Sequence, residues 1–406
     1  MNLKNLNAKY ALVNIGFMLL VSGSLGFAYN YLSQSGFDAG TIGTVMSIVS
    51  LGGVFIGPAA GSLVDRSEKI TQKMFIVGSM VACAALCALL LVIPQGSFLI
   101  LPVVILAFMS STVGMPLLNG MAFIYEKAGG VINYGLCRGM GSAAYAVGSN
   151  IVGRLWGTLG RNTLPIWVIA GAALTIAATL FMPDAPKAAA ADASDAQPAE
   201  DAQPAEALSM GQFFAKYRKL LPVIVSLVLL YFCHNVFGTY LGAVLAEFVP
   251  ADQVEVIQGN ALFIQAMVEL PTMFGFAFIM KKLSINQILA IAAIFYSIKH
   301  VILLFANSVP MFYAGMVLQM FSFAAITPAI VYFANDNVNE EDRNKSQAVF
   351  AAANTVGGLL ASFVGGWMFQ LLSVRAGLMV SVAASVAGTA LMLFATTRLG
   401  LGKKQA

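Results

Sequence analysis

The stretch Asn133 to Ser149, NYGLCRGMGSAAYAVGS, sets one guanidinium among small and apolar residues. Arg138, Ser142, Tyr145 and Ser149 follow at intervals of four, three and four, so on a helix they make a single stripe. A guanidinium donates forked hydrogen bonds to hydroxyls, and an aromatic two turns along the same face can lie under the apolar face of a sugar. Arg138 also sits near one end of its stretch, where a long cationic side chain can reach back to lipid headgroups. Both readings stand on the residues alone.

A second stretch, QGNALFIQAMVELPTMFGF, places Gln258, Gln265 and Glu269 on one helical face, with Pro271 two residues beyond the acid. Glu269 is the one acid near the middle of any long apolar run, and an ionisable group there is expensive and therefore a candidate for function. It can carry a proton or bind a solute, or it can stay ionised in a structural pair with Lys299 or Arg138. Lys299 and His300 are adjacent in YSIKHVIL and point about 100° apart on a helix, so one at most faces straight into a cavity. Lys299 is the expected counter-charge, and His300 reads as readily as a packed neutral imidazole. In YFCHNVFGTY, Tyr231, His234 or Asn235, and Gly238 share a face.

Neutral polar residues complete the set: Asn14, Tyr29, Asn30, Asn119, Gln319, Ser322, Gln347 and Asn354. Such donors and acceptors suit a neutral, hydroxyl-rich solute better than a multivalent anion, which would call for more arginine.

The elements that must position these groups follow from composition. Of 406 residues 59% are hydrophobic and 10% charged, far from the balance of a soluble domain. Twelve apolar runs recur: roughly 8–32, 41–64, 73–94, 98–125, 133–158, 164–183, 219–247, 254–280, 285–306, 309–335, 345–372 and 376–397. Each is long enough to cross a hydrocarbon core as a helix, the conformation in which a lone span satisfies its own backbone. The first run is read as retained and not as a signal peptide.

Lysine and arginine sort the loops. With the N-terminus in the cytoplasm, 17 of the 22 fall on the inner side and only Arg154, Arg161 and Arg375 on the outer, Arg138 and Lys299 lying in or beside spans. Both termini are therefore expected to be cytoplasmic in a plasma-membrane protein. The net charge of +4 is of this anchoring kind and points to no nucleic acid. Cys83, Cys87, Cys137 and Cys233 lack metal-site spacing and read as packed thiols, so no metal is expected.

Between runs six and seven lies DAPKAAAADASDAQPAEDAQPAEAL, acidic and Pro/Ala-rich, which reads as a flexible cytoplasmic linker. The expected organisation is a six-helix bundle over 1–183, a linker over 184–218, a second six-helix bundle over 219–398 and a cytoplasmic tail over 399–406. Two such halves joined by a long inner loop are similar to the arrangement of major facilitator transporters, whose solute sites lie between the halves. The loop segment GSLVDRSEK resembles the signature of that superfamily, with Gly61, Asp65, Arg66 and Lys69 in register and Glu68 replacing the second glycine. There Gly61 would allow close helix approach, and Asp65 with Arg66 would form a conformational latch. A topology-setting turn with solvated charges is the plainer alternative.

Residue by residue, YGLCRGMGSAAYAVGSNIVG resembles the span-five motif of the oligosaccharide:proton symporter group, the lactose permease-like transporters, and of its nucleoside-symporter and phenylpropionate-permease relatives. The resemblance implies that Arg138 bonds the solute and Tyr145 stacks on it. MVELP is similar to the group's span-eight segment, which makes Glu269 the match to its solute-binding acid. Likewise YSIKHVILL matches the span-nine segment, with Lys299 in place of arginine. The group's further acids and histidine fall near Asn119, Asn235, Gly238, Ser322 and Ala325, so its proton machinery is reduced here to Glu269.

These readings imply an all-α membrane protein of twelve transmembrane helices in two pseudo-symmetric six-helix bundles, the major facilitator fold. The expected function is proton-coupled import of a sugar, an oligosaccharide in the first place, by alternating access. Arg138, Tyr145, Glu269, Asn119, Ser142, His234, Asn235, Lys299, Gln319 and Asn354 would line the solute site, with Glu269 and Lys299 coupling the proton. The proton gradient would drive it without a cofactor, and the partners would be the solute, protons and the bilayer around a monomer. Nucleoside or aromatic-acid symport is the rival, since stacking on Tyr145 suits any flat ring, and drug efflux fits less well. An enzyme would need a nucleophile and base or a metal cluster, neither of which the two histidines supply, and a non-transporting sensor is the remaining alternative.

Overall fold

A computed structural model of the chain describes residues 5–67, 69–184, 208–399 and 401. Among these the only regular elements are helices: α1 Leu6–Ser24, α2 Ala28–Gln34, α3 Ala39–Arg66, α4 Gln72–Val92, α5 Ile100–Lys127, α6 Tyr134–Leu159 and α7 Thr163–Phe181. They continue with α8 Met210–Lys216, α9 Leu221–Thr239, α10 Leu241–Ala246, α11 Val254–Ile279, α12 Ile285–Phe305, α13 Val309–Val317, α14 Phe323–Asp336, α15 Arg343–Leu371 and α16 Val374–Arg398. Among the described residues eleven apolar stretches are long enough to cross a membrane. One of them, Tyr134–Phe181, runs for 48 residues and is two spans, because Gly160 takes φ +55° and a 3-10 turn over Gly160–Asn162 reverses the chain. The twelve expected spans are thus present, each edge within two residues of the reading from hydropathy.

Local signals explain many of the starts. Thr71 caps α4 and Asn133 caps α6 through their side chains, Ser373 does the same for α16, and Ser284 with Gln287 forms a capping box on α12. Three spans depart from simple rods. The first bends between α1 and α2, the seventh is interrupted at Tyr240 between α9 and α10, and the tenth is interrupted by a 3-10 segment, Leu318–Phe321, between α13 and α14. Pro328 lies inside α14, beyond that joint, so proline does not make the break.

The chain forms two compact units, Met1–Phe37 with Val45–Ala205, and Asp38–Thr44 with Glu206–Ala406. In the first, α1 packs on α6 and α7, and α4 packs on α5 and α7. In the second, α9 packs on α15 and α16, and α12 packs on α16 and on the broken tenth span. First on fifth and sixth, third on fourth and sixth: the pairing repeats, which is the internal symmetry that two sets of six spans imply.

The opening turns of α3 belong to the second unit. There the backbone N–H of Gly40 donates to Gln370 Oε1 at 3.0 Å, and the Tyr240 hydroxyl donates to the Ser362 carbonyl. A Cβ at Gly43 would come within 2.5 Å of the Tyr240 hydroxyl, and one at Gly366 within 2.5 Å of the Ala39 carbonyl, so both positions need glycine.

Of the segment 184–218 read as linker, 185–207 lies outside the described residues. At its second end a capping box of Ser209 and Gln212 starts α8, and Phe213 is fully buried. Lys216 pairs with Asp342 at 2.8 Å and Glu341 at 3.2 Å, and the Tyr217 hydroxyl donates to Asp342 at 2.6 Å. Asp342, helped by Glu341, holds the Lys216 ammonium above the usual lysine range. The capping box and the aromatic residues just after it explain why a helix forms ahead of the apolar run. Of the tail 399–406, only Leu399 and Leu401 are described.

Candidate functional site

In the second unit, four of the expected residues meet in one chain of contacts. Gln319, fully buried on the 3-10 joint, donates from Nε2 to Glu269 Oε1 at 2.8 Å. Its own carbonyl oxygen accepts from the Lys299 ammonium, and Lys299 Nζ lies 3.5 Å from His234 Nδ1. Lys299 is 2% exposed, so its charge has left water and needs these partners. No direct ion pair joins Lys299 to Glu269 among the described residues. The counter-charge expected for the acid is reached through an amide.

An amide in that place is polarised in the useful sense. It presents its negative end to the cation and its positive end to the anion, and each contact is a charge-assisted hydrogen bond. The joint that carries Gln319 is held from the side by Thr272, whose hydroxyl donates to the Met320 carbonyl at 2.8 Å. Behind Lys299, α12 is fixed to α16 by buried hydroxyls: Ser297 lies 3.1 Å from Ser385 and 2.8 Å from Thr389, and Thr389 donates to the Ala293 carbonyl. These serve position, and no periodic signal in the sequence distinguished them from core residues.

Aromatic rings enclose the network. His234 stacks on Phe323 with centroids 5.0 Å apart and 24° between planes, and Tyr231 meets the same Phe323 edge-on at 6.1 Å. With Lys299 as an ammonium donor, His234 Nδ1 accepts and Nε2 keeps the hydrogen. His300 is fully buried with Nδ1 at 2.7 Å from the Tyr296 carbonyl, and since a carbonyl only accepts, Nδ1 carries its hydrogen. Nε2 of His300 is buried without a hydrogen-bond partner among the described residues, the arrangement of a packed neutral imidazole. Phe323 as the ring under His234 was not legible beforehand, because it faces the site only after the joint at 318–321 has turned the helix.

Asn235 and Asn354 make a separate pair. Asn235 Nδ2 donates to the Tyr231 carbonyl at 2.8 Å and reaches Asn354 Oδ1 at 3.4 Å.

In the first unit, α6 carries the expected stripe beside its contact with α1. A Cβ at Gly148 would meet the Ser22 hydroxyl at 2.5 Å, so glycine lets the two backbones approach. Two hydroxyls of the stripe turn inward: Ser142 Oγ points back to the Arg138 carbonyl at 3.4 Å, and Ser149 Oγ donates to the Tyr145 carbonyl at 2.9 Å. Arg138 is half-buried, its Nη1 is buried without a hydrogen-bond partner, and no carboxylate lies within ion-pair distance among the described residues. A guanidinium N–H in that state is a donor awaiting an acceptor. Asn119 is half-buried on α5, where its carbonyl lies 3.5 Å from the Tyr10 hydroxyl.

The loop signature fares differently. A Cβ at Gly61 would meet no heavy atom within 4 Å among the described residues. Arg66 ends α3 and makes no ion pair among them, and the Asp65 side chain lies outside the described part. The four cysteines are buried free thiols.

Comparison with known proteins gives these residues a setting. The model of the MFS_1 like family matches residues 15–377. No curated protein matches the chain in sequence. Among solved structures, that of the nucleoside transporter NupG superposes with a TM-score of 0.77 at 16% identity over 98% of this chain and 100% of that one, and a single-site mutant of NupG with 0.79 at 15% identity over 96% and 100%. A bacterial homolog of the human lysosomal transporter Spinster, inward-facing and occupied, gives 0.69 at 12% identity over 98% of both chains. At these identities the likeness speaks for the fold.

Proposed function

The chain belongs to the MFS_1 like family and is a multi-pass membrane transporter, and from that premise we propose that it carries a neutral, ring-bearing solute together with a proton. A nucleoside is the first choice of solute. The observation that carries the reading is the network Glu269–Gln319–Lys299–His234, closed by the stack of His234 on Phe323. A carboxylate tied to a buried ammonium through one neutral amide is a place where a proton can be taken up and given back with little rearrangement. Aromatic faces beside it suit a flat base, and neutral amides suit its edge donors and acceptors. The full-length likeness to a nucleoside transporter supports the same choice.

The second reading, a sugar, is favoured by Arg138 and Tyr145 at seven-residue spacing on one face of α6, with Arg138 Nη1 unpartnered. In either case the roles proposed are that Arg138 and Tyr145 bind the solute, Glu269 binds it and exchanges the proton, and Lys299 answers the change of charge through Gln319. Both termini on the cytoplasmic side of the plasma membrane is the orientation that the loop charges support, and import is the direction we propose. The mechanism is a change of conformation between two accessible states, with no bond made or broken in the solute.

The test is uptake into proteoliposomes under an imposed proton gradient. Labelled uridine should accumulate, unlabelled nucleosides should compete, and disaccharides should not. Glu269→Gln should abolish gradient-driven accumulation while leaving solute exchange. Accumulation that survives in this variant removes the proton role, and competition by disaccharides alone transfers the substrate to the sugar reading.

A further inference from the structure

A crevice of about 530 Å³ opens in the second unit between α9, α14 and α15. One wall is an amide face of α15: Asn344, Gln347, Ala351 and Asn354 fall on one side of that helix, and the three amides are exposed. Tyr231 and Phe323 close the opposite, inner end. No charged side chain lines it.

Asn354 follows Arg343 by eleven residues, which places it about 16 Å along a helix rising 1.5 Å per residue, roughly half-way through a hydrocarbon core of about 30 Å. An exposed amide at that depth facing lipid tails would be expensive, so the face it lies on borders water. The amides are only partly used. Gln347 Nε2 donates to Asn335 Oδ1 at 2.8 Å, and Asn354 Oδ1 meets Asn235 at 3.4 Å. That leaves the Gln347 carbonyl and the Asn354 N–H groups for a guest. The inner end is shared with the site already described, because Phe323 is the ring on which His234 stacks.

We propose that this crevice is a second, weaker solute site on the way between the Glu269 network and the aqueous side on which α15 begins. It would hold a flat neutral ring whose edge alternates donors and acceptors, laid against Tyr231 and Phe323 with its edge toward Gln347 and Asn354. The ligand class rests on the nucleoside reading, and the existence of the site does not. Two sites in series let a solute leave the network before the water behind it is fully open, and a half-amide, half-aromatic wall selects the same chemistry twice.

Thiol protection tests it in the full-length protein in nanodiscs. The four native cysteines are buried, so an Ala351→Cys variant should dominate labelling by a hydrophilic maleimide. The introduced thiol should react readily, and uridine should slow it, with half-protection at a concentration about tenfold or more above that which half-saturates equilibrium binding, a gap of about 1.4 kcal/mol. Protection should persist when Arg138→Ala removes the tight component, and should weaken when Gln347→Ala and Asn354→Ala are added. An unreactive thiol means a dry or lipid-filled groove and overturns the proposal. So does labelling that neither uridine nor a disaccharide slows while tight binding is intact, and so does protection that disappears with Arg138→Ala. Protection by a disaccharide and not by uridine keeps the second site and removes the nucleoside reading.

Discussion

Glu269 and Lys299 are joined through the two ends of one amide: Gln319 donates to the carboxylate at 2.8 Å and accepts from the ammonium with its carbonyl oxygen. The charges therefore depend on each other without touching. Removing either leaves the other in the interior with a dipole oriented for an absent partner.

That dependence can be measured by a double-mutant cycle. Lys299→Met should destabilise the folded protein by about 3–5 kcal/mol, the usual effect of stranding one member of a buried pair. Glu269→Gln in the same chain should recover much of that loss, giving strongly non-additive unfolding free energies. Additive effects in chemical or thermal unfolding would mean that Gln319 does not couple the two.

Arg138 should behave in the opposite way. Its Nη1 has no partner and no carboxylate is near it among the described residues, so Arg138→Ala removes an unsatisfied buried donor. The melting temperature without solute should stay level or rise, while the stabilisation by solute, about 2.7 kcal/mol at a hundredfold excess over Kd, should fall to about 1.4 kcal/mol or less, the share of the weaker site. A fall in the solute-free melting temperature would assign Arg138 to the scaffold.

Two glycines offer a paired test of packing. Gly366→Ala places a methyl within 2.5 Å of the Ala39 carbonyl and should destabilise by about 1–3 kcal/mol. At Gly238 a Cβ meets nothing within 4 Å among the described residues, and Gly238→Ala should be neutral or stabilise by up to about 1 kcal/mol through helix propensity. Equal effects on thermal unfolding would contradict the crossing of the first turns of α3 with α15.

The docking of α8 should resist alkali. Asp342 raises the Lys216 ammonium above its usual range, so the stabilising charge is fully present below the ordinary lysine value and is lost only as pH rises through the higher folded value. Hydrogen exchange over 210–217, corrected for intrinsic rate, should stay flat from neutral pH up to the ordinary lysine value and rise only above it. Phe213→Ala, which empties a fully buried position, should raise it sharply at every pH. Release of α8 on mild alkalinisation would show that the ion pair is not what holds it.

Hydropathy made the twelve spans legible because a spanning helix is almost wholly determined by length and apolarity, and its ends by caps such as Ser284 with Gln287. Glu269 and Lys299 were legible for the complementary reason, that charge deep in an apolar run has to be explained. Gln319 was visible only as one neutral amide among several. Its bridging role depends on the 3-10 joint of the tenth span, which no proline or glycine marks, and on contacts among three successive spans whose facing sides hydropathy does not give. Ser142 and Ser149 show the converse. Their spacing placed them correctly on the stripe, yet each hydroxyl turns back to its own helix, a choice that periodicity does not encode.

The interruption at Leu318–Phe321 has a consequence for timing. Gln319 stands where the backbone has already left the α-helical pattern, so a shift of its backbone, carrying the amide with it, breaks no long ladder of hydrogen bonds. Glu269 and Lys299, by contrast, are set in the interiors of unbroken helices. The network thus has one quick member between two slow ones. Each protonation change at the acid can be answered locally by a shift of that amide, well before any whole helix has to move.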